Sequence, residues 1–125
     1  MSLTRQQIDW IGDANEVHVS TYRADGSRRR SVPIWTVRVD DDLYIRSAFG
    51  PNAAWFRNAT AGNRLHLEAG SEAVDVALEL TADVAVNAQV DTAYRSKYPD
   101  GGNATTIMVS PPATGSTAKL LSVAV

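Results

Sequence analysis

The stretch Val74–Val86, VDVALELTADVAV, decides the fold. Val74, Val76, Leu78, Leu80, Ala82, Val84 and Val86 fall on alternate positions, with Asp75, Glu79, Thr81 and Asp83 between them. That period of two belongs to a strand with one apolar and one wet face. At ~3.3 Å per residue such a strand runs on the order of 40 Å, too long for a flat sheet in a small domain, so it is expected to coil as barrel strands do. A closed antiparallel barrel follows.

The rest of the chain supplies the other staves. Ahead of the long strand, Arg64 to Glu68 reads as a strand closed by the turn Ala69-Gly70-Ser71, and Asn52 to Ala61 as a short helix capped by Asn52. Leu43 to Ser47 is a strand that the turn Asp40 to Asp42 joins to another, from about Arg28 to Val39. Asp25-Gly26 is a hairpin signal connecting that strand to the alternating run Val17, Val19, Thr21. At the N-terminus Thr4 and Gln7 form a capping box, Leu3 and Ile8 are spaced as a hydrophobic staple, and Gly12 supplies a stop. Beyond the long strand, Ala88 to Tyr98 reads as a helix ended by Pro99 to Gly102. Two short strands, Thr105 to Val109 and Ala118 to Val123, flank the Pro111-Pro112 loop. No repeat or linker interrupts the pattern. Residues 1–125 are therefore expected to form one domain, mainly β, with six to seven antiparallel strands and about three peripheral helices.

Composition narrows the function. The chain has no cysteine, which removes disulfide frameworks, thiolate chemistry and most structural zinc sites. It contains no apolar run of the ~18 residues that a membrane span needs, and Met1 to Val19 lacks the pattern of a cleaved leader. A soluble, cytoplasmic protein with no membrane partner is expected. A net charge of −2 argues against general nucleic-acid binding. His18 and His66 lie far apart and outside any metal-ligand spacing, so no metal is expected. Nucleophile elbows, Rossmann glycine turns and phosphate-binding loops are absent from the sequence.

Polar residues nevertheless converge at one place. In the hairpin closed within Asp40 to Asp42, Ser47 falls opposite a residue from Ile34 to Thr36, and Arg30 runs past the end of the partner strand. Arg30 then lies beside the loop Phe49 to Asn52 and the first turn of the following helix, where its guanidinium, the Ser47 hydroxyl and free helix amides can meet. These are the parts of a phosphate site. Arg23, Arg28, Arg29 and Arg30 read either as a solvated hairpin end or as anion-binding groups. Arg46 depends on turn length. A three-residue turn places it on the face of Arg28 and Arg30, whereas a two-residue turn places it with Arg29, Ser31 and Trp35, where it can stack on the indole. Gly50 and Pro51 punctuate the helix entry, and the spacing of Trp55 and Asn58 offers an aromatic wall with an amide beside it.

The series TYRADGSRRRSVPIWTV (21–37), LYIRSAFGPNAAWFRNATAGNRLHLE (43–68) and DTAYRSKY (91–98) resembles the split-barrel flavin-binding superfamily. That superfamily includes pyridoxamine-phosphate oxidase-like proteins and deazaflavin-dependent nitroreductases. Within it, the chain most resembles domain-of-unknown-function family 2255. The resemblance implies a split β-barrel with Greek-key connections, a homodimer, and either FMN or a deazaflavin as cofactor. It implies that Arg28 and Arg30, Pro33 and Ile34, Ser47 and Gly50, and Trp55 with Asn58 hold the cofactor phosphate and flank its ring, with Arg46 beside them. The segment Phe49 to Trp55 lacks the longer glycine-containing insertion of the deazaflavin enzymes and places Pro51 differently, which leaves the cofactor's identity open. The activity implied is hydride transfer from the reduced ring to a small organic acceptor; a non-catalytic cofactor-binding or sensing module on the same barrel is the alternative. Chemistry carried by a cofactor needs no protein nucleophile, and no catalytic residue is assigned. Tyr22, Tyr44, Tyr94 and Tyr98 are candidate proton donors.

Overall fold

The structure is a computed structural model and describes residues 3–123. Helix α1 (Arg5–Asp13) opens it, with the Thr4 hydroxyl accepting from the Gln7 amide and the Gln7 side chain accepting from the Thr4 amide. The apolar side of α1 puts Ile8 and Ile11 into the barrel core, and Leu3 joins them. Seven strands follow: β1 (Val17–Ser20), β2 (Val32–Ile34), β3 (Thr36–Val39), β4 (Asp42–Ile45), β5 (Leu65–Ala69), β6 (Glu72–Leu80) and β7 (Ala118–Ser122). They form one antiparallel sheet in the order β2-β1-β5-β6-β7-β4-β3. Its two edge strands, β2 and β3, are consecutive in the chain and joined through Trp35 alone, so the sheet wraps into a nearly closed barrel.

That wrapping corrects the expected continuous strand from Arg28 to Val39. Its first part pairs with β1, Val17 opposite Ile34, and its second with β4, Thr36 opposite Ile45. Trp35 is the point where the segment changes partners. Before β2, Tyr22 and Arg28 form an isolated bridge, and the three residues between Arg28 and Val32 belong to no ladder. The β3–β4 turn has two residues, Asp40 and Asp41, with Asp40 in the left-handed region at φ 53°.

The long strand is also shorter than expected. β6 stops at Leu80, and α3 (Val84–Lys97) begins where the alternation still continues on paper. Asp83 decides the matter: its carboxylate accepts from the Val86 amide, a helix N-cap that a single sequence period does not reveal. The expected strand Thr105 to Val109 is instead a helix, α4 (Asn103–Met108), entered from Gly102 at φ 57° and anchored by the Thr105 hydroxyl donating to Tyr98 O. Asn52 caps nothing. It ends a 3₁₀ turn (Gly50–Asn52), and α2 (Ala54–Gly62) starts after Ala53 without a side-chain cap.

Two cores result. Inside the barrel, Val17, Val19, Leu43, Ile45, Leu65, Leu67, Val76 and Leu78 pack with Phe56 and Ala59 of α2. Outside it, Val37 and Tyr44, on the opposite face of the same two strands, pack under α3 and α4 through Val90, Tyr94, Tyr98 and Met108. The Tyr-Arg-Ser-Lys-Tyr run of α3 has a structural explanation here. Trp35 stacks on Tyr98 with ring centroids 3.8 Å apart and planes 6° from parallel, the Tyr98 hydroxyl donates to Asn15 O, and Lys97 Nζ donates to Thr36 O. Together they pin α3 across the point where β2 becomes β3.

Candidate functional site

Where β1 frays into the hairpin, a cavity of about 470 Å³ opens at the surface between Val19–Thr21, Arg29–Val32 and the segment carrying Phe49, Ala53, Trp55 and Asn58. Small-molecule sites commonly enclose ~300–1,000 Å³ with apolar walls and a few polar groups, and this cavity has that character. Trp55 and Asn58, one helical turn apart on α2, line it together because α2 packs its Phe56 and Ala59 face into the barrel.

Two consecutive arginines reach the cavity. Strict alternation would separate Arg29 from Arg30, but both lie in the three residues free of ladder pairing, so the expected difference of faces does not hold. Their roles differ. Arg29 donates to Tyr22 O at 2.6 Å and approaches Thr21 Oγ1 at 3.4 Å, which fixes the hairpin stem. Arg30 is exposed and has no hydrogen bond or ion pair among the described residues.

The remaining sequence-derived site residues lie elsewhere. Arg28 pairs loosely with Glu68 at 3.9 Å, both half-exposed. Ser47 is buried with its hydroxyl unpartnered among the described residues, while its amide donates to Ser116 Oγ at 2.8 Å. Gly50 is buried at φ 80°, and a Cβ there would come within 2.7 Å of Pro112 Cβ, so its glycine answers to packing. Pro33, Ile34 and Arg46 line a second cavity, of about 200 Å³.

Arg46 is the largest departure. The two-residue turn sends it outward with Tyr44, beneath α3, and its side chain is fully buried. Nε donates to Thr117 Oγ1 (2.8 Å), one terminal nitrogen to Asp91 and to Met108 O (2.9 Å), and the other to Asn87 O (3.3 Å) and Asn87 Oδ1 (3.0 Å). All the guanidinium N–H groups are thereby used within the fold. Trp35, the expected stacking partner, pairs with Tyr98, and Arg46 lies 5.5 Å from the Tyr94 ring centre instead. Asn87 and Asp91 carried the missing signal: they stand one turn apart beside the apolar positions Val90 and Tyr94, where carboxylates and amides seek a buried partner.

Beside the cavity, on the outer face of the sheet, a polar network centres on Asp75. Tyr22 OH donates to both carboxylate oxygens at 2.9 Å, Arg64 Nε donates at 2.8 Å, and His66 Nδ1 lies 2.9 Å away. Partial burial pushes the Asp75 carboxyl up, but the hydrogen bonds from Arg64, His66 and Tyr22 outweigh it and hold it below the usual carboxylate value. Burial and then the bond to Asp75 raise the Tyr22 phenol. Burial raises Tyr44 and Tyr94 as well, and pushes Tyr98 up to about 12. None of these four tyrosines lines the larger cavity. Residues missed in the sequence are Ser20 and Thr21 at the strand end and Phe49, which is 81% exposed at the mouth. Among the described residues, no group of three or more metal-ligating side chains is placed to hold an ion.

The fold is a nearly closed antiparallel barrel with helices outside, and Arg29, Arg30, Trp55 and Asn58 line the cavity of about 470 Å³ at its surface. The chain belongs to the family described as an uncharacterized protein conserved in bacteria (DUF2255), whose model matches residues 7–120. No curated protein matches it. Solved structures share the fold at low identity. An F420-H2 dependent reductase (FDR-A) is 15% identical, with 85% of this chain and 92% of that chain covered at a TM-score of 0.57. A FAD-binding protein from Mesorhizobium loti is 21% identical, covering 99% and 93% at 0.56. The heme storage protein HutZ from Vibrio cholerae is 12% identical, covering 100% and 93% at 0.65.

Proposed function

We propose that this protein is a flavin- or deazaflavin-binding oxidoreductase that passes hydride to a small organic acceptor. Arg30 would hold the cofactor phosphate, and Trp55 and Asn58 would flank its ring. The observation that carries this reading is the cavity between the end of β1, the hairpin and α2, where Arg30, without an internal partner among the described residues, lines the same space as Trp55. FMN and the phosphate end of a deazaflavin coenzyme present the same chemistry to it, an anion joined to a planar tricycle. When bound, the cofactor supplies the hydride chemistry; the chain supplies binding, orientation and exclusion of water. Reductase and FAD-binding neighbours support this reading at the level of fold, and a heme storage neighbour on the same fold makes electron transfer the property to measure. A homodimer is part of the proposal, since closed two-fold assemblies are the commonest for soluble chains and Phe49, Leu80 and Val84 are exposed apolar side chains.

Calorimetry with FMN and riboflavin on the purified chain tests the binding. Wild type is expected to prefer FMN, and Arg30→Ala to lose roughly ten- to a hundredfold in FMN affinity, the about 1.5–3 kcal/mol of a charge-assisted hydrogen bond, with riboflavin unchanged. Trp55→Ala is expected to weaken both ligands alike. Equal binding of the two by wild type removes the phosphate site. Bleaching of the bound ring by reductant, followed by reoxidation with an added acceptor, separates an enzyme from a binding module.

A further inference from the structure

The second cavity, of about 200 Å³, is lined by Pro33, Ile34, Trp35, Ala48, Ile107 and Met108, with Ala104 and Arg46 completing it. Consecutive residues divide between the two cavities: Val32 lines one and Pro33 the other, and Phe49 lines one and Ala48 the other. Its size and chemistry restrict what enters. A cavity of ~150 Å³ accepts a single benzene ring, while drug-sized ligands need ~300 Å³ or more. The one charged side chain in the lining, Arg46, has its N–H groups taken by Thr117, Asp91, Met108 O and Asn87. It has nothing left to offer an anion, and its positive charge is already balanced by Asp91. An ionised ligand would therefore shed water without recovering a partner. The wall is otherwise apolar, and Ile107 remains 43% exposed at the rim.

We propose that this cavity binds a compact, neutral, single-ring molecule, and that it is the substrate side of the cofactor cavity. The second half rests on the cofactor reading, whereas binding itself does not. Ile107 and Met108 of α4 line it on one side, and Trp35, whose indole is held by its stack on Tyr98, lines it from the β2–β3 segment.

The test uses the full chain with isoleucine and methionine methyl groups labelled for NMR, titrated with anisole, benzoate and benzylammonium, three ligands of one ring size and different charge. Anisole is expected to shift the Ile34, Ile107 and Met108 methyl signals saturably, with benzoate and benzylammonium at least tenfold weaker. Ala104→Phe, at an exposed helix position, is expected to fill the cavity and abolish the anisole shifts while the remaining spectrum stays that of the folded protein. Ala48→Leu repeats the test from the opposite wall. Absence of saturable anisole shifts in wild type overturns the proposal, as does equal binding of the charged rings or full binding by both filled variants. A parallel FMN titration separates the two readings: anisole without FMN binding keeps this cavity and removes the cofactor reading, and FMN without anisole binding does the reverse.

Discussion

At the scale of single residues, charge in this protein is sorted by how completely each group is answered. Arg46 is fully buried with every donor engaged, so it behaves as part of the scaffold that ties β4, α3, α4 and β7 together. Replacing it with methionine strands the Asp91 carboxylate and removes one donor each from Asn87 Oδ1 and Thr117 Oγ1, which keep each other, and urea unfolding is expected to show a loss of about 3–5 kcal/mol. The double variant Arg46→Met, Asp91→Leu is expected to recover part of that loss, because no unpaired carboxylate remains. A double variant less stable than the single one would show that the ion pair does not set the cost. Asp75 is answered from three sides, and its folded-state pKa is depressed by Arg64, His66 and Tyr22 against the opposing effect of burial. A depressed carboxyl contributes stability above its unfolded pKa, near ~3.9, and loses it as pH falls through the folded value. Wild type is thus expected to lose stability on acidification below about pH 4 more steeply than Asp75→Asn, measured as urea midpoints across pH 2.5–6. Sequence reasoning left the face of Arg46 to turn length and set it beside the cofactor only by resemblance, while most of the partners that bury it lie on α3 and α4, beyond any local pattern. Arg30, by contrast, reads as a candidate anion ligand because it stands in a basic hairpin next to a strand end, and the structure places it on the cavity lining without an internal partner among the described residues.

At the scale of elements, what was legible depended on which interaction decides each boundary. The inward period of β5 and β6 is written in Leu65, Leu67, Val76 and Leu78, all buried, and it was read correctly. The end of β6 was not. Leu80 is 58% exposed and Val84 85% exposed, although both continue the apolar alternation. Side-chain hydrogen bonding at Asp83 starts α3 there, and two-period patterning is silent about caps. Removing the cap by Asp83→Ala is expected to cost about 1 kcal/mol, read as a lower urea midpoint with an unchanged slope. If the midpoint does not move, the helix start is set by the Asn87 contacts with Thr81 O and Asp83 O instead. The same limitation hid α4. Thr105, Thr106, Ile107 and Val109 are strand-favouring types, but Met108 has a place to be buried only against Val37, Tyr44 and Tyr94. Tertiary packing overrode local preference.

At the scale of the whole molecule, the closed sheet and the candidate site have one cause. The segment that serves both edges of the barrel turns over at Trp35, and its ladder-free residues ahead of β2, 29–31, bring Arg29 and Arg30 to the cavity. Both cavities open at the surface of this chain of 125 residues, with Phe49 exposed at the mouth of the larger of the two. Covering that much apolar surface is the physical reason to expect association. Light scattering is therefore expected to give a dimer at micromolar concentrations, with an obligate-type interface of roughly 2,000 Å² or more. Cofactor affinity supplies the sharper version of the test. If the partner chain closes the cavity, FMN affinity measured across a dilution series falls as the dimer dissociates, because the competent state is depopulated and the apparent dissociation constant rises in proportion. If the species is a monomer at every concentration and FMN affinity stays constant, the dimer is removed from the proposal and the cavity lined by Arg30, Trp55 and Asn58 is complete within one chain.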